Sequence, residues 1–520
     1  MKSFLHRFGA AVLGVLQGFD RLRFRGSKRL LCTPGGMFHF LSQVNVRLKD
    51  YKSYAKATTL TVCKSVETAA KRAGVYQYLN SSQESKEQTA LRLAAEQKRT
   101  TGLIAVLGCV EPCQIMQVRG NRETKKLEVR AEPGKCLHYY HYYLDPKYGL
   151  RYTRLQSWFP FTMHVGLNGR EWLARQLTQA RVGYEKKDNC FPRVADWEAA
   201  QRLLDEQLTT AWPELLAGWA QESHPGLGSL LAAAVPYYWS VQEGEYATDV
   251  AFRSVAELQR VYPQWVHYAT ELLQSTDVLR FMGYKVTKAG QPRRDFAGEV
   301  MTTIKELVEG TCVKHRVLQN LLKMYDKFGI VLRLENLLIH VRDFKVYRTK
   351  ENDPDGPMSY LRLRKGVADI HRRAELGQKI NGRYAEALAT VVEKTPLGEL
   401  TADLGRPATW KGRPVRALNP LAPEDVALLA AVNRGEFLVA GFRNRDLREL
   451  LFAETAEATP EEQRRQSGKV TRLLQLLRGH GIIARVGTSY RYQVTTTGRS
   501  KIAALLAARH ANTQQLLNAA

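Results

Sequence analysis

The 520-residue sequence contains no long hydrophobic run, since no stretch approaches the roughly 18 consecutive apolar residues that a transmembrane helix requires. Cysteine is scarce, with seven residues in all, and an odd number cannot pair completely. Internal repeats of fixed period and low-complexity tracts are also missing. We therefore expect a cytoplasmic, multi-domain protein with reduced thiols, without membrane spans and without a disulfide framework.

Acidic residues are few relative to basic ones. Lysine and arginine number 77 against 51 aspartates and glutamates, which leaves a formal net charge of +26. Such a chain repels itself unless a polyanion screens it, and nucleic acid is the commonest polyanion. An anionic membrane surface is the rival partner. The charge balance favours a nucleic-acid partner. We expect DNA rather than RNA, and no membrane.

The pattern of polar and apolar residues predicts an α+β fold, with an antiparallel sheet core, covering helices and a C-terminal winged helix-turn-helix domain. The expected segments are a helical basic N-terminal region (1–100), a β-meander plus helix (101–195), an α+β central region (196–393), a linker (394–422) and the winged-helix domain (423–511). Near the N-terminus, apolar residues at helical spacing predict an amphipathic helix. These are Leu5, Phe8, Val12, Val15, Leu16 and Phe19.

The meander region combines aromatic and basic residues. Its alternating segments flank a turn at 145–149, and alternation places Tyr140 and Tyr142 on one face of the sheet. If Arg151 and Arg154 lie beside them, the face resembles a stacking platform for a single strand. The alternative is a sheet that buries both of its faces.

The order of elements after residue 422 is helix, helix, helix, two-stranded hairpin, helix, which is typical of a winged helix. Val470, Leu473, Leu474 and Leu477 form the expected buried stripe of the third helix. The candidate nucleic-acid contacts on this helix and the wing are Arg464, Arg465, Lys469, Arg472, Arg478, Arg485 and Arg491. The alternative is a winged helix that dimerises or binds protein, and a homodimer is compatible with either.

Two short motifs in the central region resemble those of rolling-circle replication initiators of plasmids and filamentous phages. Tyr325-Asp326-Lys327 is followed by a strand with Leu332-Arg333-Leu334-Glu335. The resemblance covers a small part of the chain. It implies that Glu335 helps to hold a divalent metal beside a scissile phosphate, and that a tyrosine attacks and stays linked to the DNA 5′ end. A winged helix appended to such a core is also similar to transposases.

The chain departs from that family because Lys314, His315 and Arg316 stand where the nucleophilic tyrosine is expected. Tyr246 is the substitute nucleophile, and His315 is the alternative as a general base that activates water. The remaining candidates are the metal ligands Glu335, Asp249 and Glu299, which suit Mg²⁺ or Mn²⁺, and the phosphate clamps Lys327 and Arg333. The plainer alternative is an ordinary turn, an exposed strand face and a core tyrosine.

Cys109 and Cys113, with Cys136, His138 and His141 further on, have the residue types of a zinc site. A structural zinc usually uses a second closely spaced ligand pair, so Zn²⁺ is not expected at these residues, and the alternative is a β-turn with buried thiols.

Together these features indicate a DNA-handling protein of mobile-element or replicon type, either a metal-dependent single-strand nickase, replication initiator or transposase, or a non-catalytic binder of structured RNA or DNA.

Overall fold

The computed structural model describes residues 1–227, 235–287, 296, 298–350, 353, 355–391, 397–434, 437, 441–452, 459–487 and 489–510. The chain divides into two compact units. The first, called the meander unit, comprises Val15–Asp249 and Leu337–Gln378. The second, the terminal unit, comprises Met1–Gly14, Val250–Asn336 and Lys379–Ala520.

Strands and α-helices are numbered in chain order. The described strands are β1 (Val12–Ser27), β2 (Tyr76–Leu79), β3 (Gly102–Gly120), β4 (Leu127–Asp145), β5 (Gly149–Gln156), β6 (Met163–Asn168), β7 (Tyr184–Lys187), β8 (Cys190–Val194), β9 (Tyr238–Phe252), β10 (Val300–Leu307), β11 (Gly310–Val317), β12 (Asn320–Lys327), β13 (Val331–Leu337), β14 (Lys345–Arg348), β15 (Ser359–Arg362), β16 (Ala408–Trp410), β17 (Arg413–Val415), β18 (Ile483–Arg485) and β19 (Tyr492–Val494). The described α-helices are α1 (Lys2–Phe8), α2 (Pro34–Gln43), α3 (Tyr51–Arg72), α4 (Lys86–Glu96), α5 (Gly169–Gln179), α6 (Trp197–Thr209), α7 (Trp212–Ser223), α8 (Val255–Gln259), α9 (Tyr262–His267), α10 (Ser275–Met282), α11 (Ile370–Leu388), α12 (Leu397–Thr401), α13 (Pro423–Val432), α14 (Asn444–Leu451), α15 (Pro460–Gly479) and α16 (Thr496–His510).

The fold is mixed α+β with a large, mostly antiparallel sheet, so the predicted class is confirmed at that level. In the meander unit the strand order is β9-β1-β6-β5-β4-β3-β2. Strands β3 to β6 pair antiparallel in sequence order, which confirms the predicted meander, and β2 joins the edge of β3 in parallel. The turn from β4 to β5 contains Gly149 at a positive φ of 73°, a conformation that glycine adopts without strain.

Helices cover both faces of this sheet. Val106 packs in one cluster with Val66 of α3, while its neighbour Leu107 packs in another with Ala90 of α4. Because successive side chains of a strand point to opposite faces, β3 is buried on both sides.

The expected N-terminal helix is wrong beyond Phe8, because residues 12–27 form strand β1 between β9 and β6. The even-numbered residues 16–26 are all buried, which is the period of a strand. Two of them are glycines, so the alternation is hard to see in the sequence. A Cβ at Gly18 would lie 2.6 Å from Leu204, and one at Gly26 would lie 2.7 Å from the Trp239 ring.

The segment predicted as a linker, 394–422, contains helix α12 and the β16–β17 hairpin in its described part. Leu404 and Leu418 are buried in the same hydrophobic cluster as Leu447 and Leu474. The prolines and glycines therefore shape a hairpin that belongs to the C-terminal core.

In the terminal unit, β10, β11, β12 and β13 are successive neighbours in the sheet, and the first three pair antiparallel. Among the described residues after 422, α13, α14, α15, the β18–β19 pair and α16 pack around one hydrophobic cluster. This reproduces the predicted order of elements after residue 422.

Candidate functional site

The motif residues on β12 and β13 lie in a network of ion pairs. Lys323 Nζ donates to Glu335 Oε1 at 2.6 Å, and an Arg333 guanidinium nitrogen lies 3.9 Å from the other oxygen. Lys327 Nζ donates to Glu309 at 2.7 Å. Lys327, Arg333 and Glu335 are all buried. The predicted phosphate clamps thus meet carboxylates of their own unit, and Tyr325-Asp326-Lys327 ends a strand rather than forming a free turn.

His315, the candidate general base, is fully buried on β11. Its Nδ1 is 2.9 Å from Thr302 Oγ1 and its Nε2 is 3.0 Å from the Tyr384 hydroxyl. Burial lowers the pKa of His315 to about 4. Both ring nitrogens have hydroxyl partners, Thr302 at the surface and Tyr384 in the core, so the histidine is placed to stabilise the packing rather than to activate water.

Tyr246 and Asp249 lie on β9 in the meander unit, and both are buried. The Tyr246 ring meets Phe19 edge to face at 5.3 Å, and burial raises the pKa of its hydroxyl. Asp249 pairs with Arg170 at 2.9 Å, and both side chains are almost inaccessible. The core-tyrosine alternative therefore describes Tyr246 better than a nucleophile does.

The three predicted metal ligands have different surroundings. Asp249 and Glu335 belong to different units, and each has a basic partner inside its own unit. Glu299 is exposed directly before β10. In the described part of the chain, neither Asp249 nor Glu299 belongs to a group of three or more potential metal ligands. Neither unit by itself assembles the predicted magnesium or manganese site.

The residues of the possible aromatic platform already have partners within the meander unit: Tyr142 and Arg151 are buried, and Tyr140 and Arg154 are half-buried. The Tyr140 hydroxyl donates to both oxygens of Glu111, at 2.8 and 3.0 Å, and Arg154 donates to the same carboxylate at 2.8 Å. Tyr142 is buried and stacks on Tyr140, with ring centroids 6.4 Å apart. With helices on both faces, the sheet has the two-faced core that was the alternative.

Arg151 is also internal, with only 4% of its side chain exposed. Its guanidinium donates to Asp145 at 3.0 Å and to Glu222 at 2.6 Å. It also lies 4.1 Å from the centroid of the Tyr143 ring and 4.7 Å from that of Trp219. Arg151 therefore stabilises the meander unit and cannot contact a phosphate without being withdrawn from these partners.

Three of the predicted zinc residues converge. Single ligand atoms of Cys113, Cys136 and His138 lie within 4.8 Å of one another, and the two sulfurs are 3.5 Å apart. The hydrogen bond from the Cys136 thiol lowers the pKa of Cys113 to about 5, against the effect of burial. The same bond, with burial, raises the pKa of Cys136. Cys109 is buried in an apolar cluster, as the alternative expected, but residues 109–113 lie within strand β3 and form no β-turn.

The cations of the C-terminal region differ from all of these, because most of them are exposed. Arg464, Arg465, Lys469 and Arg472 are exposed on α15, and Arg485 is exposed on the β18–β19 hairpin. Arg478 and Arg491 are half-buried. The Arg478 guanidinium lies 3.9 Å from the centroid of the Trp410 ring, a contact from the segment predicted as a linker. Thr488, which lies between β18 and β19 in the sequence, is outside the described residues.

Sequence reasoning missed Glu309, Lys323 and Arg170, whose charges neutralise the motif residues and Asp249. No sequence motif signals any of these three ion pairs. It also missed Tyr490, which is 81% exposed next to Arg491 at the hairpin tip. An aromatic residue beside arginines in a predicted wing is a signal that would have identified it.

Comparison with protein-family models, with curated proteins and with solved structures found no match to this chain. Among the helices of the described residues, none has the length and apolar character required to cross a bilayer.

Proposed function

We propose that this protein binds duplex DNA through residues 423–510, and that these residues form a winged helix. The order of elements supports it: three helices, a two-stranded hairpin and a closing helix share one hydrophobic cluster. In a winged helix the third helix enters the major groove and the wing contacts the backbone. In the order of elements, α15 corresponds to the third helix and the β18–β19 hairpin corresponds to the wing.

The exposed cations of α15 carry the proposal. Val470, Leu474 and Leu477 are buried in the hydrophobic cluster, whereas Arg464, Lys469 and Arg472 are exposed on the same helix. An amphipathic helix with cations on its free face is the electrostatic footprint expected for contact with phosphates.

The side chain of Asn444 supports the packing of α14 on α15. It donates to the Ser467 carbonyl and to Thr471 Oγ1, both at 3.0 Å. These two bonds hold the helix pair that presents the basic face.

The hairpin adds a second exposed group. Tyr490 projects at its tip, and the Arg485 guanidinium lies 5.1 Å from the centroid of the Tyr490 ring. Arginine and tyrosine side chains both donate hydrogen bonds to phosphate oxygens, so the tip suits contact with the DNA backbone.

Fluorescence anisotropy with labelled duplex DNA tests the proposal. Replacing Arg464, Lys469 and Arg472 by alanine should weaken binding roughly 100-fold and reduce the slope of log affinity against log salt by about 3. The matched control replaces Lys52, Lys56 and Lys64, three exposed lysines of α3, and removes the same charge. Equal losses in both variants would contradict the proposal, as would protein binding or dimerisation without affinity for DNA. Tighter binding to duplex RNA would redirect it to RNA.

Metal-dependent nicking stays a prediction of the resemblance at 325–335. Incubation of a labelled single strand with Mg²⁺ or Mn²⁺ tests it. Cleavage that disappears in Tyr246→Phe would support the nickase, whereas absence of cleavage with intact duplex binding supports a binding protein.

A further inference from the structure

Two cysteines and one histidine on neighbouring strands of the meander unit form a compact cluster. Cys113 comes from β3, and Cys136 and His138 come from β4. The antiparallel register pairs Cys113 with Gly134 and Glu111 with Cys136. Side chains paired in this way share one face of the sheet, so all three ligands point to the same side.

We propose that Cys113, Cys136 and His138 bind one Zn²⁺ ion, with solvent in the fourth position. Two thiolates and an imidazole are ligands that zinc prefers, and three protein ligands with an open position are a known zinc arrangement. The proposal is independent of DNA binding by the C-terminal region.

The distance between the sulfurs agrees with a shared metal. Two sulfurs bound to a tetrahedral zinc at ~2.3 Å lie roughly 3.8 Å apart. The sulfurs of Cys113 and Cys136 are 3.5 Å apart, whereas a disulfide would bring them to about 2.05 Å. Zinc therefore requires only a small adjustment of the two side chains.

The backbone sets the tautomer of His138. Its Nδ1 lies 3.1 Å from the carbonyl oxygen of Cys136. A carbonyl can only accept, so Nδ1 carries the proton and Nε2 keeps the lone pair that a metal needs. Metal-ligating histidines commonly have such a second contact, which orients the ring.

The neighbouring groups leave the fourth position to solvent. Glu111 is on the same face of β3, but its carboxylate accepts from Tyr140 and Arg154 and pairs with Lys86 at 3.2 Å. Cys113 and Cys136 are only partly buried, so water can reach the site. When the ion binds, two S–Zn bonds and one N–Zn bond form, and any proton still held by the two sulfurs leaves to solvent.

Metal titration of the full chain tests the site. The chain is reduced, stripped with a chelator and titrated with Zn²⁺, and with Co²⁺ for its thiolate charge-transfer absorption. We expect one ion per chain in the wild type, at least about 100-fold weaker binding in Cys113→Ser and Cys136→Ser, and wild-type binding in the control Cys32→Ser. Binding that is unchanged in both cysteine variants, or no binding by the wild type, would overturn the proposal.

A second measurement tests the zinc site without any substitution, for the case in which a cysteine variant does not fold. The wild-type chain is alkylated with N-ethylmaleimide, with and without Zn²⁺, and the modified cysteines are located by mass spectrometry. Zinc should protect Cys113 and Cys136 but not Cys32 or Cys63. Equal labelling of all four, or a Cys113–Cys136 disulfide that persists under reducing conditions, would contradict a metal site.

Discussion

The arginines of β5 and those of α15 have opposite surroundings although their side chains are the same. Arg151 and Arg154 lie inside the meander unit, where Glu222, Asp145 and Glu111 neutralise them. Arg464 and Arg472 are exposed on α15. The difference teaches that a net charge of +26 does not reveal which cations are available to a phosphate. Availability depends on whether folding brings a carboxylate to each cation.

The largest expected effect is on stability, and it comes from a buried ion pair. Replacing Arg170 by methionine removes the cation that neutralises the buried carboxylate of Asp249. The loss should cost about 3–5 kcal/mol in the free energy of unfolding, measured by urea denaturation. The double variant Arg170→Met/Asp249→Leu should recover most of it, because neither charge then remains in the core. A single variant that loses less than ~1 kcal/mol would break the comparison between buried and exposed arginines.

The next effect is a dependence of stability on pH. It comes from a buried residue of the terminal unit, the unit that also carries the exposed arginines of α15. His315 in the terminal unit has its pKa lowered to about 4 by burial, against ~6.5 in an unfolded chain. Between these values the unfolded chain binds more protons, so stability is full above pH ~6.5 and falls as the pH decreases toward 4, by about 3 kcal/mol.

Urea denaturation across this range checks that expectation. Because other groups titrate too, the difference between wild type and His315→Gln isolates the histidine. The variant should lose less stability on acidification, and identical pH profiles would contradict the assignment.

A smaller effect is expected at Arg151. Arg151→Met leaves Asp145 and Glu222 without their cation, but both are closer to solvent than Asp249. We expect a loss of about 2 kcal/mol in the free energy of unfolding and unchanged affinity for duplex DNA. Anisotropy and thermal denaturation of the same preparation measure both. Weaker duplex binding by a folded variant would return Arg151 to the nucleic-acid-binding surface and contradict its purely structural role.

The smallest stability change is expected on α15. Arg464→Ala should alter the free energy of unfolding by less than ~0.5 kcal/mol, because the side chain is exposed. Its affinity for duplex DNA should nevertheless fall about fivefold, which corresponds to ~1 kcal/mol. A stability loss as large as that of Arg151→Met would remove the distinction between the two groups of arginines.

Local patterns allowed much of the fold to be predicted. The alternation through β3–β6 and the turn at 145–149 specify a meander, since both signals lie within short stretches. The apolar spacing in α15 similarly identified the buried Val470, Leu474 and Leu477, whereas Leu473 of the same predicted stripe is only half-buried. Strand β1 was missed because its glycines hide the period of two. The segment 397–418 was missed because prolines and glycines are shared by linkers and hairpins.

The candidate sites were less predictable, because they depend on residues far apart along the chain. Cys113, Cys136 and His138 have suitable types, but only the register of β3 on β4 brings them together. The motif at 325–335 identifies Glu335 as a candidate metal ligand but does not indicate that Lys323 neutralises its carboxylate.

By itself, the sequence determined the excess of cations, the alternation that builds the meander and the amphipathic helix at the C-terminus. These are properties of composition and of neighbouring residues. Only the tertiary structure decided which charges meet, as when Arg151 donates to Glu222, 71 positions away, and Arg154 to Glu111, 43 positions away. The physical reason is that an ion pair forms only where folding brings opposite charges within a few ångströms, and strand order sets that distance.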